Sequence, residues 1–112
     1  MIAKNPLLEA PPYQVEQALK RLGENLRIAR VRRNLTIEEV ARKIGTGPRP
    51  VTDAEKGKPS TTIGVYVALL WAYDLLEPLN ELANPNNDEQ GLTHVSVGER
   101  TRARSLPRLA QA

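Results

Sequence analysis

Gly45 stands between two short segments whose apolar residues keep helical spacing. That junction constrains the fold more than any other stretch of the 112-residue chain. Before it, Thr36 can cap a helix and Glu39 sits three residues on, the two halves of a capping box. Val40, Ala41 and Ile44 then form a short apolar face. Gly45 is the residue type that ends a helix in the left-handed region. Thr46, Gly47 and Pro48 make a tight turn. Pro48 suits a first helical position, where its missing N–H would be unpaired anyway. A second helix over 48–56 follows, with Val51 and Ala54 on its inner face and Gly57 closing it; Pro50 is tolerated only within its first turn. Two such helices cross steeply and pack closely, so the contact needs a small residue, supplied by Ala41.

The surrounding chain supplies partners for this pair. From Tyr13 to Arg33, Val15, Ala18, Leu19, Leu22, Leu26 and Ala29 recur at spacings of three and four, one apolar stripe of a helix. Gly23 interrupts it at a cost of roughly 1 kcal/mol against Ala, which predicts a bend or break there. Asn34 is a stop. After the connector Lys58-Pro59-Ser60, one of Ser60, Thr61 and Thr62 caps a helix running to about Tyr73, and Asp74 marks a turn. Leu75, Leu76, Leu79 and Leu82 predict a last helix, interrupted or begun near Pro78. The expected fold is therefore all-α, a five-helix domain over 13–83. A flexible arm over 1–12 precedes it, and a polar tail over 84–112 follows. Within that tail Leu92 to Val97 alternates loosely enough for one short strand.

Composition removes whole classes of chemistry. The chain has no Cys, hence no disulfide, thiolate zinc site or thiol nucleophile, and His94 is its only His. No apolar run of about 18 residues is present to span a membrane. Residues 1–12 lack the basic-then-apolar order of a secretory signal. The expectation is a non-enzymatic, cytoplasmic protein without metal or cofactor. Asp88/Glu89 and Glu38/Glu39 are adjacent in sequence and read as surface or capping residues.

Two short helices joined by a glycine-containing turn form a helix-turn-helix arrangement, whose second helix has one edge free to enter a DNA major groove. The stretch LTIEEVARKIGTGPRPVTDAEKGKPS at 35–60 resembles, without gaps, the Xre/Cro-type helix-turn-helix of lambdoid phage repressors. LGENLRIARVRRN at 22–34 is similar to that family's first helix. LLWAYDLLEPLNELANPNNDEQG at 69–91 resembles the HipB-like antitoxins that accompany HipA-like kinases. The resemblance covers about residues 15–91. It implies base contacts from Pro48, Arg49 and Pro50, with Asp53 one turn later. It also implies phosphate contacts from Thr46, Gly47, Thr52, Lys56 and Lys58, with Thr36 at the edge of the same set. Arg30 and Glu55 take the positions of the family's buried ion pair.

Three positions depart from the family pattern. Ile37 stands where Gln is common, two prolines sit at the mouth of the second helix, and Asp53 puts a negative charge near the groove floor. Asp53 either accepts from a cytosine amine or repels phosphate. Readout then leans on Arg49, bidentate to a guanine. Two function classes follow. One is a homodimeric repressor of a palindromic operator, in antitoxin form also restraining a HipA-like serine/threonine kinase. The other is a stand-alone regulator, or an interaction module on the same fold with little DNA readout. Trp71, Leu75, Leu76, Leu79 and Leu82 exceed the needs of a small core, which favours a dimer interface over internal packing. His94 reads as a surface residue, and the arginines beyond Gly98 as a solvated tail or a contact to DNA or toxin.

The formal net charge of +3 is unevenly spread. Residues 13–33 hold six basic and two acidic residues, whereas 59–83 hold three acidic and none basic. The N-terminal half has the sign a phosphate backbone attracts, and the leucine-rich segment does not.

Overall fold

In the computed structural model, residues 5–94 are described. They divide into two compact units, 5–77 and 78–94. Every element among the described residues is helical, so the expected all-α class is the one found. The first unit contains α1 (Pro6–Glu9), α2 (Tyr13–Arg32), α3 (Ile37–Ile44), α4 (Pro48–Glu55) and α5 (Ile63–Ala72).

The stripe on α2 organises the first unit. Leu26 and Ala29 are buried, and Leu19 and Leu22 pack against the core from the same helix. Val40 and Ala41 of α3, Val51 and Ala54 of α4, and Tyr66, Leu69 and Ala72 of α5 complete the core with Tyr73. Apart from the two tyrosines these are small or branched aliphatic residues, and Tyr73 is the largest fully buried side chain. Val15 and Ala18 lie at the exposed start of the stripe, so burial begins only one turn further on.

The expected break at Gly23 does not occur. α2 runs unbroken for 20 residues, and Gly23 is buried inside it. The segment 1–12 contains one helical turn, α1, whose N-terminus is capped by Asn5: its side chain accepts from the Leu7 N–H at 3.1 Å. Asn34 and Asp74 take left-handed conformations, φ 55° and 58°, and so end α2 and α5 as their positions predict.

α5 is apolar all round and ends without a basic residue of its own. Cations from two other helices reach its C-terminal carbonyls, where positive charge is favoured. Arg33 Nη2 donates to the Tyr73 carbonyl at 2.9 Å, and its guanidinium lies over the Tyr73 ring, 5.5 Å from the centroid. Lys43 Nζ donates to the Ala72 carbonyl at 3.3 Å and lies 5.9 Å from the centre of the Trp71 ring.

The last α-helix predicted around 75–82 is instead a single 3₁₀ helix, Glu77–Glu81. An α-helix begun at Leu75 would need the N–H that Pro78 lacks, so the helical segment begins only at Glu77, and Ala83 turns the chain at φ 59°. Within the second unit, Asn84 caps the short 3₁₀ helix Pro85–Asn87 by accepting from the Asn86 N–H at 2.9 Å. The predicted strand over 92–97 is also corrected in its described part. Residues 89–94 are helical because the Asp88 carboxylate accepts from the Gly91 N–H at 2.9 Å and starts a helical turn. Residues 95–97 lie outside the described residues. His94 is exposed.

Tyr73 is 1% exposed and its hydroxyl has no hydrogen-bond partner among the described residues; burial pushes its pKa up to about 12. The neutral phenol is thus favoured by the fold. Its contribution to stability is complete below the unfolded value near 10 and is lost as pH rises from there to about 12. We expect Tyr73→Phe to leave stability at pH 8 unchanged or to raise it by about 1 kcal/mol. The difference should move further in favour of Phe as pH rises from 10 to about 12. Urea unfolding of both proteins across this range checks it; a difference that does not change with pH contradicts it.

Candidate nucleic-acid interface

The site is built on the two short helices, beginning with the start of α3. Thr36 Oγ1 accepts from the Glu39 N–H at 3.0 Å, and the Thr36 N–H donates to Glu39 Oε1 at 2.8 Å, a complete capping box. The donated backbone N–H, helped by the Thr36 hydroxyl, holds the Glu39 carboxyl below its ordinary range. α3 ends at Gly45, φ 85°, whose N–H bonds back to the Ala41 carbonyl at 2.9 Å. Gly47 is the N-cap of α4 and Pro48 its first residue. With Pro48 and Pro50 both in the first turn, Gly47 and Arg49 supply the N–H groups left free there.

Three contacts seat α4. Val51 and Ala54 are fully buried beneath it. Gly23 lies against its C-terminal turn so closely that a Cβ would come within 2.6 Å of the Ala54 carbonyl oxygen and 2.8 Å of the Gly57 nitrogen. Gly57, at φ 70°, is equally constrained, since a Cβ there would meet the Leu19 carbonyl oxygen at 2.5 Å. The third contact is a forked ion pair. Arg30 Nε and Nη2 donate to the two oxygens of Glu55 at 2.6 and 3.1 Å, and Nη1 donates to the Leu35 carbonyl at 2.9 Å. The side chains are only 14% and 7% exposed. Glu55 raises the Arg30 pKa above its ordinary value, chiefly through the direct hydrogen bond.

With Val51 and Ala54 turned inward, the opposite edge of α4 faces out. Arg49, Thr52, Asp53 and Lys56 share it at spacings of three and four. Arg49 is 84% exposed and its Nε lies 3.8 Å from Asp53 Oδ2. Asp53 Oδ1 is 3.2 Å from Lys58 Nζ. Thr46, Gly47 and Pro48 lie at the leading end of the same helix, with Gly47 and Pro48 exposed. Thr36 lies apart from this edge, at the start of α3, its oxygen already engaged in the capping box. Ile37 packs against the core, which explains an apolar residue at that position. Pro50 is half-buried and, with Asp53, Thr61 and Val65, lines a shallow cleft between α4 and the start of α5.

A helix held on one edge by core and ion pair, with its N-terminal turn and a basic edge exposed, is the arrangement described by a known family. The family described as Helix-turn-helix domain matches residues 21–83, more than half of the chain. The chain belongs to the helix-turn-helix domain family. No curated protein and no solved structure matches it. A helix-turn-helix domain points to a DNA-binding regulator, and α3 and α4 are the two short helices joined by the tight turn.

The remaining site candidates of this helix-turn-helix protein are dispersed. Trp71 is 54% exposed on α5, Leu75 is exposed after it, and Leu76 is half-buried. In the second unit Leu79 is half-buried and Leu82 exposed. No helix among the described residues is long and apolar enough to cross a membrane. Gly23 and Gly57 were missed as parts of the site. Their signal is a glycine inside an apolar stripe facing a glycine after α4. We expect Gly23→Ala to destabilise the protein by about 1–3 kcal/mol or more, although Ala is the better helix former. Chemical denaturation measures this; a neutral or stabilising outcome contradicts the backbone contact.

Proposed function

We propose that this chain is a sequence-specific transcriptional repressor of the Xre/Cro type that binds a palindromic operator as a homodimer. The observation that carries the reading is the outward edge of α4, with Arg49 in its first turn and Lys56 at its C-cap, backed by the buried Val51 and Ala54. Arg49 is the base reader, and Thr46, Gly47, Thr52, Lys56 and Lys58 serve the phosphates. Pro48 shapes the leading turn, and Thr36 meets the backbone from the start of α3. The DNA-binding domain is residues 13–83, with an arm before it and a tail after it. The protein acts in the cytoplasm and is not an enzyme.

The finer reading is a HipB-like antitoxin that restrains a HipA-like kinase and represses their shared operon. Its support is the resemblance over 69–91 together with the exposure of Trp71, Leu75 and Leu82. Each of these residues, and likewise Leu76 and Leu79, is assigned to contact with a second copy of the chain. Two recognition helices in such a dimer would read half-sites about 34 Å apart, one helical turn of DNA.

Fluorescence anisotropy with the duplex upstream of the chain's own gene tests the reading. Selective binding that weakens linearly in log salt is expected, with a slope of about −0.9 per phosphate neutralised. Arg49→Ala should lose about 1–3 kcal/mol of discrimination at one base pair of each half-site. Failure to bind even at low salt contradicts the proposal and favours an interaction module on the same fold.

A further inference from the structure

We infer that Asp53 positions the base-reading Arg49 and does not itself read a base. The inference rests on the DNA-binding reading and deepens it. The carboxylate is only 22% exposed, against 84% for the Arg49 side chain. Its two oxygens face two different cations: Oδ1 faces Lys58 Nζ at 3.2 Å, and Oδ2 faces Arg49 Nε at 3.8 Å. Both carboxylate oxygens thus face cations of the same chain, and a cytosine amine would have to compete with them. The cluster of Arg49, Asp53 and Lys58 carries a net charge of about +1, so the acid does not reverse the sign of this edge of the helix.

Lys58 is itself fixed through its backbone. Its N–H donates to the Asp53 carbonyl at 3.1 Å. Its own carbonyl accepts from the hydroxyl of Tyr66 at 2.9 Å, and Tyr66 is a buried residue of α5. A continuous line therefore runs from the core through Tyr66 and Lys58 to Asp53, and ends at Arg49. The Asp53 carboxylate approaches Arg49 on its Nε side. The closest approach is therefore not to Nη1 or Nη2, the pair that matches guanine O6 and N7. In solution an exposed pair at this spacing restrains the arginine weakly. In a groove cleared of water the same two charges interact more strongly, so the restraint acts where it is needed.

The test uses the full chain and sites selected from randomised duplex DNA. Five proteins are compared: wild type, Arg49→Ala, Asp53→Asn, Asp53→Glu and the double variant of Arg49→Ala with Asp53→Asn. Two quantities are measured for each, the affinity for random duplex and the discrimination of guanine from adenine at the position Arg49 reads. Asp53→Asn should raise affinity for random duplex, because a negative charge is removed, while reducing discrimination by about 3–10-fold. Arg49→Ala should abolish the discrimination, and adding Asp53→Asn to it should cause no further loss. Asp53→Glu should recover part of it. Asp53→Asn with undiminished discrimination overturns the inference, as does a changed preference at a different base pair with the guanine preference intact. Unaltered thermal unfolding shows that each variant is folded. A wild-type chain that selects no sequence overturns the DNA-binding reading and this inference with it, whereas a selective wild type unaffected by Asp53→Asn overturns this inference alone.

Discussion

The fork of Arg30 onto Glu55 is the interaction on which the rest of the first unit depends. One guanidinium joins three pieces of chain: the end of α2, the Leu35 carbonyl that leads into α3, and the last residue of α4. Both charges are largely removed from water, so neither side chain is stable there without the other. The pair therefore contributes less to net stability than to where α4 sits. A helix of eight residues has little helical stability of its own. Its orientation comes from what holds its ends and its inner edge.

The backbone contact at Gly23 and Gly57 is the second half of the same device. It lets α2 approach the C-terminal turn of α4 more closely than side chains would permit. That approach brings Arg30, about two turns beyond Gly23 on the same face of α2, within reach of Glu55. At the other end, α5 is held by Arg33 and Lys43, which reach its carbonyls from α2 and α3. Basic residues of the N-terminal half thus divide between structural duties inside the unit and the outward edge of α4.

Local chemistry was readable from the chain, and contacts between distant residues were not. Thr36 with Glu39 and the left-handed Gly45 are local signals, and the structure shows the capping box and helix stop they describe. Gly23 was misread because helix propensity concerns one residue in isolation, whereas its role depends on residues 54–57, some thirty positions away. Pro78 outweighed the leucine spacing around it and left a 3₁₀ helix. Asp88 turned a loosely alternating segment into a helical one, because a cap acts on the backbone regardless of the apolar pattern. At the candidate interface, the outward edge of α4 was legible from the burial of Val51 and Ala54. The engagement of Asp53 by Lys58 was not, since it depends on the left-handed turn at Gly57.

The most direct measurement of this account is a double-mutant cycle on the ion pair, reading unfolding free energies of wild type, Arg30→Met, Glu55→Gln and the double variant. The account predicts that each single change costs about 3–5 kcal/mol, because it leaves a buried partner unpaired. It predicts that the double variant loses less than the sum, by about 2 kcal/mol of coupling. Single costs below about 1 kcal/mol, or strictly additive losses, would contradict the claim that this pair seats the recognition helix.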